Sequence, residues 1–319
     1  MSSASPSLED IIRESSRSLV IGIGGGGDVA GALATARFLE FCGLEFVLGG
    51  LSWERRVFDP LPGPRMLSEV ENVRVLHQYA WMANSETQTK AAVYFAESRM
   101  AAFLAQEVLL VDISGGVEGV VAGVERAIEE LQTDLLVGLD VGGDSLAQGT
   151  EPGLRSPLAD SVMLAAFVEL EKRGYRVLWG VFGYGSDGEL TVDEIESALS
   201  TLAAAGALLG AWSLTPKTAA ELEAAIKTVP TEASAIPVQG FRGVSGKSEI
   251  RDGARQVKLT PLTALTFFMS ATKLFETLSR PAQAVHGSSS LDQANDALHA
   301  IGIKTELDSE REYYQAQKA

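Results

Sequence analysis

Asp140-Val-Gly-Gly-Asp144 sets two carboxylates on either side of a glycine turn. That spacing lets Asp140 and Asp144 converge on a divalent cation, or divide acid and base work between them. A second segment runs from Ser18-Leu-Val-Ile-Gly22 through Gly24, Gly25, Gly26 and Gly27 to Asp28. Such a turn brings backbone N–H groups close to an anion or an oxygen-rich ligand. Asp112-Ile-Ser-Gly-Gly116 has the same grammar, with Ser114 placed to cap a helix and Gly115 beside it. Two charged loops add side chains. Ser52–Ser68 carries Glu54, Arg55, Arg56 and Arg65, and Gln148–Pro157 carries Arg155, which can grip a carboxylate or a phosphate bidentately. The expected site therefore joins Gly24 to Asp28, Glu54, Asp112, Ser114, Gly115, Asp140, Gly142, Gly143, Asp144, Ser145 and Arg155. Asp140 and Asp144 are its reactive or metal-ligating pair.

The elements that must position these residues alternate between strand and helix. Leu19–Ile23, Leu44–Leu48, Val73–Gln78, Ala91–Phe95, Glu107–Ile113, Asp134–Val141, Arg176–Phe182 and Ala211–Leu214 read as strands. Helices are expected over Val29–Phe41, Gly115–Leu131, Leu158–Lys172, Asp193–Ala205, Ala219–Thr228 and, long and apolar, Pro261–Leu278. A further helix begins near Leu291, and Ile301–Leu307 reads as a strand. Continuous apolar runs followed by helices predict an α/β fold, a mainly parallel, doubly wound, Rossmann-like sheet with helices on both faces. No composition shift marks a linker, so residues 1–319 are read as one domain with insertions near 52–68 and 231–258. In such sheets ligands gather beyond the carboxyl ends of the strands, where each of the three acidic segments falls.

Composition narrows the partners. The chain has 319 residues, 46% of them hydrophobic, and a formal charge of −16. That excess of acid disfavours nucleic acid, which needs clustered Lys and Arg. No apolar stretch is long enough for a bilayer and no signal peptide opens the chain, so a soluble, cytoplasmic protein with no membrane partner is expected. The one cysteine, Cys42, reads as core. The Pro261–Leu278 helix offers either core or a subunit interface, which leaves a homo-oligomer open.

Other motifs carry less. Gly22, Gly24 and Gly27 spell G-x-G-x-x-G, but the second strand ends in Gly49-Gly50 with no acid for a ribose, and Asp28 would repel a pyrophosphate. NAD and FAD are therefore disfavoured, and no other cofactor is named. Gly246-Lys-Ser248 lacks the first glycine of a P-loop, because position 241 is Phe241. His77, His286 and His299 show no metal-ligand spacing. Gly143-Asp-Ser-Leu146 spells the block of GDSL serine esterases, with Ser145 as nucleophile, His299 as base and Asp296 to orient it.

Gly24-Gly-Gly-Gly-Asp-Val-Ala-Gly31, Gly50-Leu-Ser-Trp-Glu-Arg55 and Asp140-Val-Gly-Gly-Asp144 with Ser156-Pro-Leu-Ala-Asp160 resemble an uncharacterised archaeal and bacterial family, a domain of unknown function. The resemblance covers most of the chain and supports the fold and the strand-end residues. A fainter similarity is to the D-glutamate cyclase family, whose members pair a Gly-containing turn before an Ala-rich helix with a later acidic loop. That loop reads roughly G-D-G-G-N-E there, against Leu139-Asp-Val-Gly-Gly-Asp144 here. The leading expectation is an enzyme acting on a small anionic metabolite, with a divalent metal, as a lyase, cyclase or hydrolase. A non-catalytic nucleotide or metabolite sensor and a GDSL-like esterase using Ser145 are the alternatives.

Overall fold

A computed structural model describes residues 6–318. Helix α1 (Leu8–Arg13) precedes β1 (Arg17–Gly22), α2 (Asp28–Phe41) and β2 (Glu45–Leu51). After the loop that begins at Ser52 come β3 (Val70–His77), β4 (Ala80–Thr89), α3 (Ala96–Leu104), β5 (Val108–Val111), α4 (Gly116–Leu131) and β6 (Leu135–Val141). The chain continues with α5 (Pro157–Lys172), β7 (Val177–Phe182), α6 (Val192–Ala204), β8 (Leu208–Ser213), α7 (Pro216–Thr228) and α8 (Glu232–Phe241). The hairpin β9 (Gly246–Ile250) and β10 (Arg255–Leu259) leads to β11 (Leu265–Met269). Four helices end the fold: α9 (Ala271–Thr277), α10 (Arg280–Val285), α11 (Leu291–Ala300) and α12 (Glu306–Lys318).

One nine-stranded sheet has the order β3-β4-β5-β2-β1-β6-β7-β11-β8. Strands β5, β2, β1, β6 and β7 form its parallel centre, and within the sheet only β4 and β11 run against the rest. Every residue of β5, β6 and β7 is buried, which is why these strands read as unbroken apolar runs rather than alternating ones. Alternate side chains feed opposite layers. Leu19, Ile21, Leu136 and Trp179 pack with α4 and α5, whereas Val20, Leu48, Val137 and Leu178 pack with α2. The chain leaves β1 toward β2 on one side and later returns as β6 on the other. The direction of winding thus reverses between β1 and β6, and their following loops part there to leave a crevice.

Four local expectations are corrected. Pro261–Leu278 is not a helix but a single 3₁₀ turn, β11 and α9. Leu265-Thr-Phe-Phe-Met269 is a short apolar run that satisfies either period, and pairing between β7 and β8 decides it. Ala91–Phe95 is a turn with Ala92 at φ 62°, and the missing strand is β4, upstream. Ile301–Leu307 turns at Gly302 (φ 84°) and enters α12. Cys42 is exposed at the end of α2, where Gly43 stops the helix, and it is not in the core. The stretch 231–258 holds α8 and the β9–β10 hairpin. Among the described residues, no helix is long and apolar enough to cross a membrane.

Candidate functional site

The carboxyl ends of β1, β2, β6 and β7 surround a recess of about 150 Å³ that opens into a vestibule of about 740 Å³. Gly24, Gly25, Gly26 and Asp28 come from the turn after β1, and Trp53, Glu54 and Arg55 from the loop after β2. Asp144 follows β6, Asp187 and Glu189 follow β7, and Ser156 and Asp160 stand at the start of α5. Arg251 and Arg255 reach in from the β9–β10 hairpin, and Glu306 and Glu310 from α12.

The glycine turn is built by three consecutive left-handed residues, Gly25 (φ 73°), Gly26 (φ 52°) and Gly27 (φ 134°), a conformation that β-carbons oppose. Its N–H groups are partly spent inside the protein. Gly24 N donates to Asp28 Oδ2 (3.1 Å) and Gly26 N to the Trp53 carbonyl (3.0 Å). Asp28 Oδ2 also accepts from Val141 N at 3.4 Å, so this carboxylate ties the β1 turn to β6. Burial and the nearby Asp140 push Asp28 up to about 8.

The Asp140/Asp144 pair splits its work. Asp140 Oδ1 accepts from Gly143 N (3.2 Å) and Oδ2 from Ser145 N (3.0 Å), which closes the turn on itself. Its carboxylate is committed to that turn, and it does not line the recess. Asp144 does line it. Burial and the charges of Asp160, Glu189, Asp187 and Asp140 hold Asp144 well above the ordinary carboxylate range. Asp160 is raised in the same way, by burial and by Asp140, Asp28 and Glu306. Its Oδ1 is buried without a hydrogen-bond partner, as is Asp187 Oδ2. Asp187 Oδ1 accepts from Glu189 N (3.2 Å), and burial with Glu189 raises it as well. Oxygens of Asp144, Asp187 and Glu189 lie within 4.8 Å of one another. So many buried carboxylates cannot all stay ionised unaided; protons or a cation must neutralise them.

Several acids also brace the frame. Glu189 accepts from Arg155 N (2.6 Å), Ser156 N (2.9 Å) and the Ser156 hydroxyl, and pairs with Arg255 Nη1 at 2.9 Å. Glu306 accepts from Leu158 N (3.0 Å) and Ala159 N (2.8 Å), capping the start of α5 from a distant helix, and burial raises it to about 8. Glu54 caps α3 through Ala96 N, and burial takes it to about 7. Glu310 holds Trp53 Nε1 at 3.0 Å and Gly63 N at 2.8 Å.

Arginines form the opposite wall. Arg55 Nη2 is 3.8 Å and Arg251 Nε 3.7 Å from the same Glu232 carboxylate. Arg251 (φ 56°) and Asp252 (φ 55°) both sit in the left-handed region at the hairpin tip, a strained placement for residues with a β-carbon. Burial, and then the neighbouring guanidinium of Arg251, lowers Arg55 to about 10. Burial and Arg255 lower Arg251 in turn.

Of the expected residues, Gly24 to Gly26, Asp28, Glu54 and Asp144 line the recess. Gly27 stands against Thr231, Gly142 against Asp187 and Gly143 against Ile195, so these glycines make room for the wall rather than face the space. Arg155 lines the vestibule, but its Nη1 donates to the carbonyls of Pro152 (2.9 Å) and Leu154 (2.7 Å). Arg65 is buried, paired with Asp59 at 3.2 Å, and braces its own loop. Asp112, Ser114 and Gly115 do not join the recess. Asp112 Oδ1 accepts from Ser114 N (2.8 Å), the Ser114 carbonyl accepts from Leu291 N (2.9 Å), and Tyr79 covers Gly115. The expected Ser145–His299–Asp296 relay is not formed. Ser145 Oγ accepts from Trp179 Nε1 at 3.2 Å, while His299 pairs with Asp308 at 2.7 Å.

Asp160, Asp187, Glu189, Arg251, Arg255 and Glu306 escaped the sequence reading. Asp187 had a signal: Gly183-Tyr-Gly-Ser-Asp-Gly188 repeats the pattern of a strand, glycines and an acid. Asp160 lay in a motif already noted. Glu306 had none, because its segment read as a strand.

No curated protein and no solved structure matches the chain. A family model described as "Protein of unknown function (DUF1152)" matches residues 19–314, a span that holds all but the first two residues of the sheet's β1 and every residue lining the recess, and the chain belongs to that family.

Proposed function

We propose that this protein is an enzyme that acts on a small anionic metabolite with a divalent cation held by Asp144, Asp187 and Glu189. One observation carries the reading: three carboxylate oxygens within 4.8 Å of one another beyond the ends of β6 and β7, beside the crevice where the winding of the sheet reverses. The unpartnered Asp187 Oδ2 supports it, since a buried lone acceptor is costly unless something binds it. An all-oxygen donor set suits Mg²⁺, Mn²⁺ or Ca²⁺ better than Zn²⁺. The cation supplies positive charge that polarises a substrate oxygen or lowers the pKa of a bound water.

The chain's own groups divide the remaining work. Asp140 is a positioning residue, because both of its oxygens hold the turn that presents Asp144. Asp160 is the acid–base candidate: burial and its acidic neighbours hold its carboxyl well above the ordinary carboxylate range, and its Oδ1 has no hydrogen-bond partner. Hydrolysis, elimination and cyclisation all use such a set.

Calorimetric titration of the full chain with Mn²⁺ tests the reading, followed by a thermal-shift screen of anionic metabolites with Mg²⁺ present. The expected result is a saturable cation site that Asp144→Asn and Asp187→Asn each remove in folded protein. An unaltered Mn²⁺ isotherm in both variants, or none in the parent, would refute it.

A further inference from the structure

The two walls of the recess carry opposite charge and meet in the Arg255–Glu189 ion pair at 2.9 Å, which leaves Arg55 and Arg251 without a partner on the acidic wall. Arg55 and Arg251 share the single Glu232 carboxylate at 3.8 and 3.7 Å, so their forked N–H donors are left over. Arg255 spends Nη1 on the Asp187 carbonyl (3.0 Å) and on Glu189. The arginines farther out are committed. Arg56 stacks its guanidinium 3.7 Å from the Tyr313 ring centroid, and Arg155 holds backbone carbonyls. The free donors are therefore the ones that face the acidic floor.

This arrangement selects an anion. A group seated against Arg55 and Arg251 must offer several oxygens in different directions, which a tetrahedral dianion does and a planar carboxylate does not. The same group lies beside Asp144, Asp187 and Glu189, which would repel it. A divalent cation between them reverses that repulsion. Mg²⁺ is commonly held in this way, by one or two carboxylates together with substrate phosphates rather than by a closed protein cage. Size agrees: about 150 Å³ admits a cation and a phosphoryl group, and the vestibule of about 740 Å³ admits the remainder of a metabolite.

We infer that the substrate carries a terminal phosphate or diphosphate, gripped by Arg55, Arg251 and Arg255 and bridged by the divalent cation to Asp144, Asp187 and Glu189. The inference rests on the cation reading above and adds the substrate class to it.

The test is calorimetry on the full chain at pH 7.5 with MgCl₂ alone, pyrophosphate alone, the two together, and malonate with Mg²⁺ as the carboxylate control. Pyrophosphate is expected to bind at least about tenfold more tightly when Mg²⁺ is present. Arg251→Gln and Arg55→Gln should each cost about tenfold or more in that affinity, as loss of a charged, forked contact does, while binding of Mg²⁺ alone is kept. Arg251→Lys, which retains the charge but loses the fork, should fall between parent and Arg251→Gln; circular dichroism checks that each variant is folded. Mg²⁺ binding with no pyrophosphate binding, or malonate binding as tightly as pyrophosphate, overturns the phosphate inference and leaves the cation reading standing. Pyrophosphate binding that ignores Mg²⁺ overturns the bridge. No Mg²⁺ binding at all overturns the cation reading, and the inference with it.

Discussion

The strand ends of β6 and β5 carry the same kind of sequence and reach different fates. Both strands are fully buried, and each ends in an aspartate and a glycine pair: Asp140 is the last residue but one of β6, and Asp112 directly follows β5. In both, that aspartate folds back on its own turn: Asp140 onto Gly143 N and Ser145 N, Asp112 onto Ser114 N. The difference lies in the neighbours. β6 flanks β1, where the winding reverses, so its turn faces open space and Asp144 looks into the recess. β5 lies between β2 and β4, and its turn is covered. Ser288 caps the start of α4 there, its hydroxyl accepting from Val117 N (3.2 Å) and its carbonyl from Glu118 N (3.0 Å). A strand, an acid and two glycines specify a tight turn; the topology decides whether that turn becomes a site.

The largest effect should come from Asp187→Asn and Asp144→Asn. Loss of an outer partner of a metal ligand already costs 10–100-fold in affinity, so loss of a ligand should cost about 10²-fold or more. In cation-free protein the sign reverses. Each of these carboxylates is held well above its ordinary range by burial and its acidic neighbours, so removing one should raise Tm. A variant that loses both cation binding and cation-free stability would mark these residues as a structural network and break the contrast with the β5 end.

Next comes pH. Asp28 and Glu306 are raised from 3.8 and 4.5 to about 8, and Glu54 from 4.5 to about 7. In this window the folded chain binds more protons than the unfolded one, so stability must fall as pH rises from about 4.5 to about 8. Each pKa unit is worth about 1.4 kcal/mol, so shifts of this size should show as a lower denaturant midpoint at each step up in pH. Saturating Mg²⁺ should flatten the slope, because its positive charge in the same recess lowers the pKa of these neighbouring carboxyls. Chemical denaturation at pH 5, 6.5 and 8, with and without Mg²⁺, measures both. A slope that is positive, or indifferent to Mg²⁺, would place these carboxyls outside any cation's influence.

What was legible in the sequence follows from the same contrast. Turns after β1 and β6 were readable, because buried parallel strands appear as apolar runs and the glycines that end them have no other use. The centre of the fold was readable for that reason as well. The opposite wall was not. Glu306 reaches the α5 terminus across 148 positions, and no local pattern encodes such a pairing. Arg251 and Arg255 lie on a hairpin whose strands, Gly246-Lys-Ser-Glu-Ile250 and Arg255-Gln-Val-Lys-Leu259, are short and bury only Ile250, Val257 and Leu259, so they read as a loop insertion. β11 reads as helix because a five-residue stretch with four apolar side chains, Leu265-Thr-Phe-Phe-Met269, satisfies both periods until its neighbours are known.

Asp140→Asn should act on the frame rather than the site. Asparagine keeps one acceptor for the turn and loses the other, which costs about 1 kcal/mol of stability, the usual worth of one backbone-capping bond. Cation affinity should change by less than about threefold, far below the loss at Asp187, because Asp140 touches the recess only through the turn it closes. Denaturant midpoints and Mn²⁺ titration together decide it. An affinity loss as large as that of Asp144→Asn would make Asp140 a ligand.

The smallest effect should come from Asp112→Asn. Burial raises Asp112 from 3.8 to about 6, while the bond from Ser114 N works against that rise. The parent therefore loses stability as pH rises from about 4 to about 6, and a neutral asparagine does not. The introduced side chain retains an acceptor for Ser114 N, so at pH 5 the variant should lie within about 0.5 kcal/mol of the parent, as most substitutions without a lost partner do. At pH 8 it should be the more stable of the two, by on the order of 1 kcal/mol. Mn²⁺ affinity should not move at either pH, because this turn is closed by Leu291, Ser288 and Tyr79 and does not open on the recess. If Asp112→Asn weakened Mn²⁺ binding as Asp187→Asn does, the β5 and β6 ends would be working on one ligand, and position in the sheet would not be what separates a covered turn from a site.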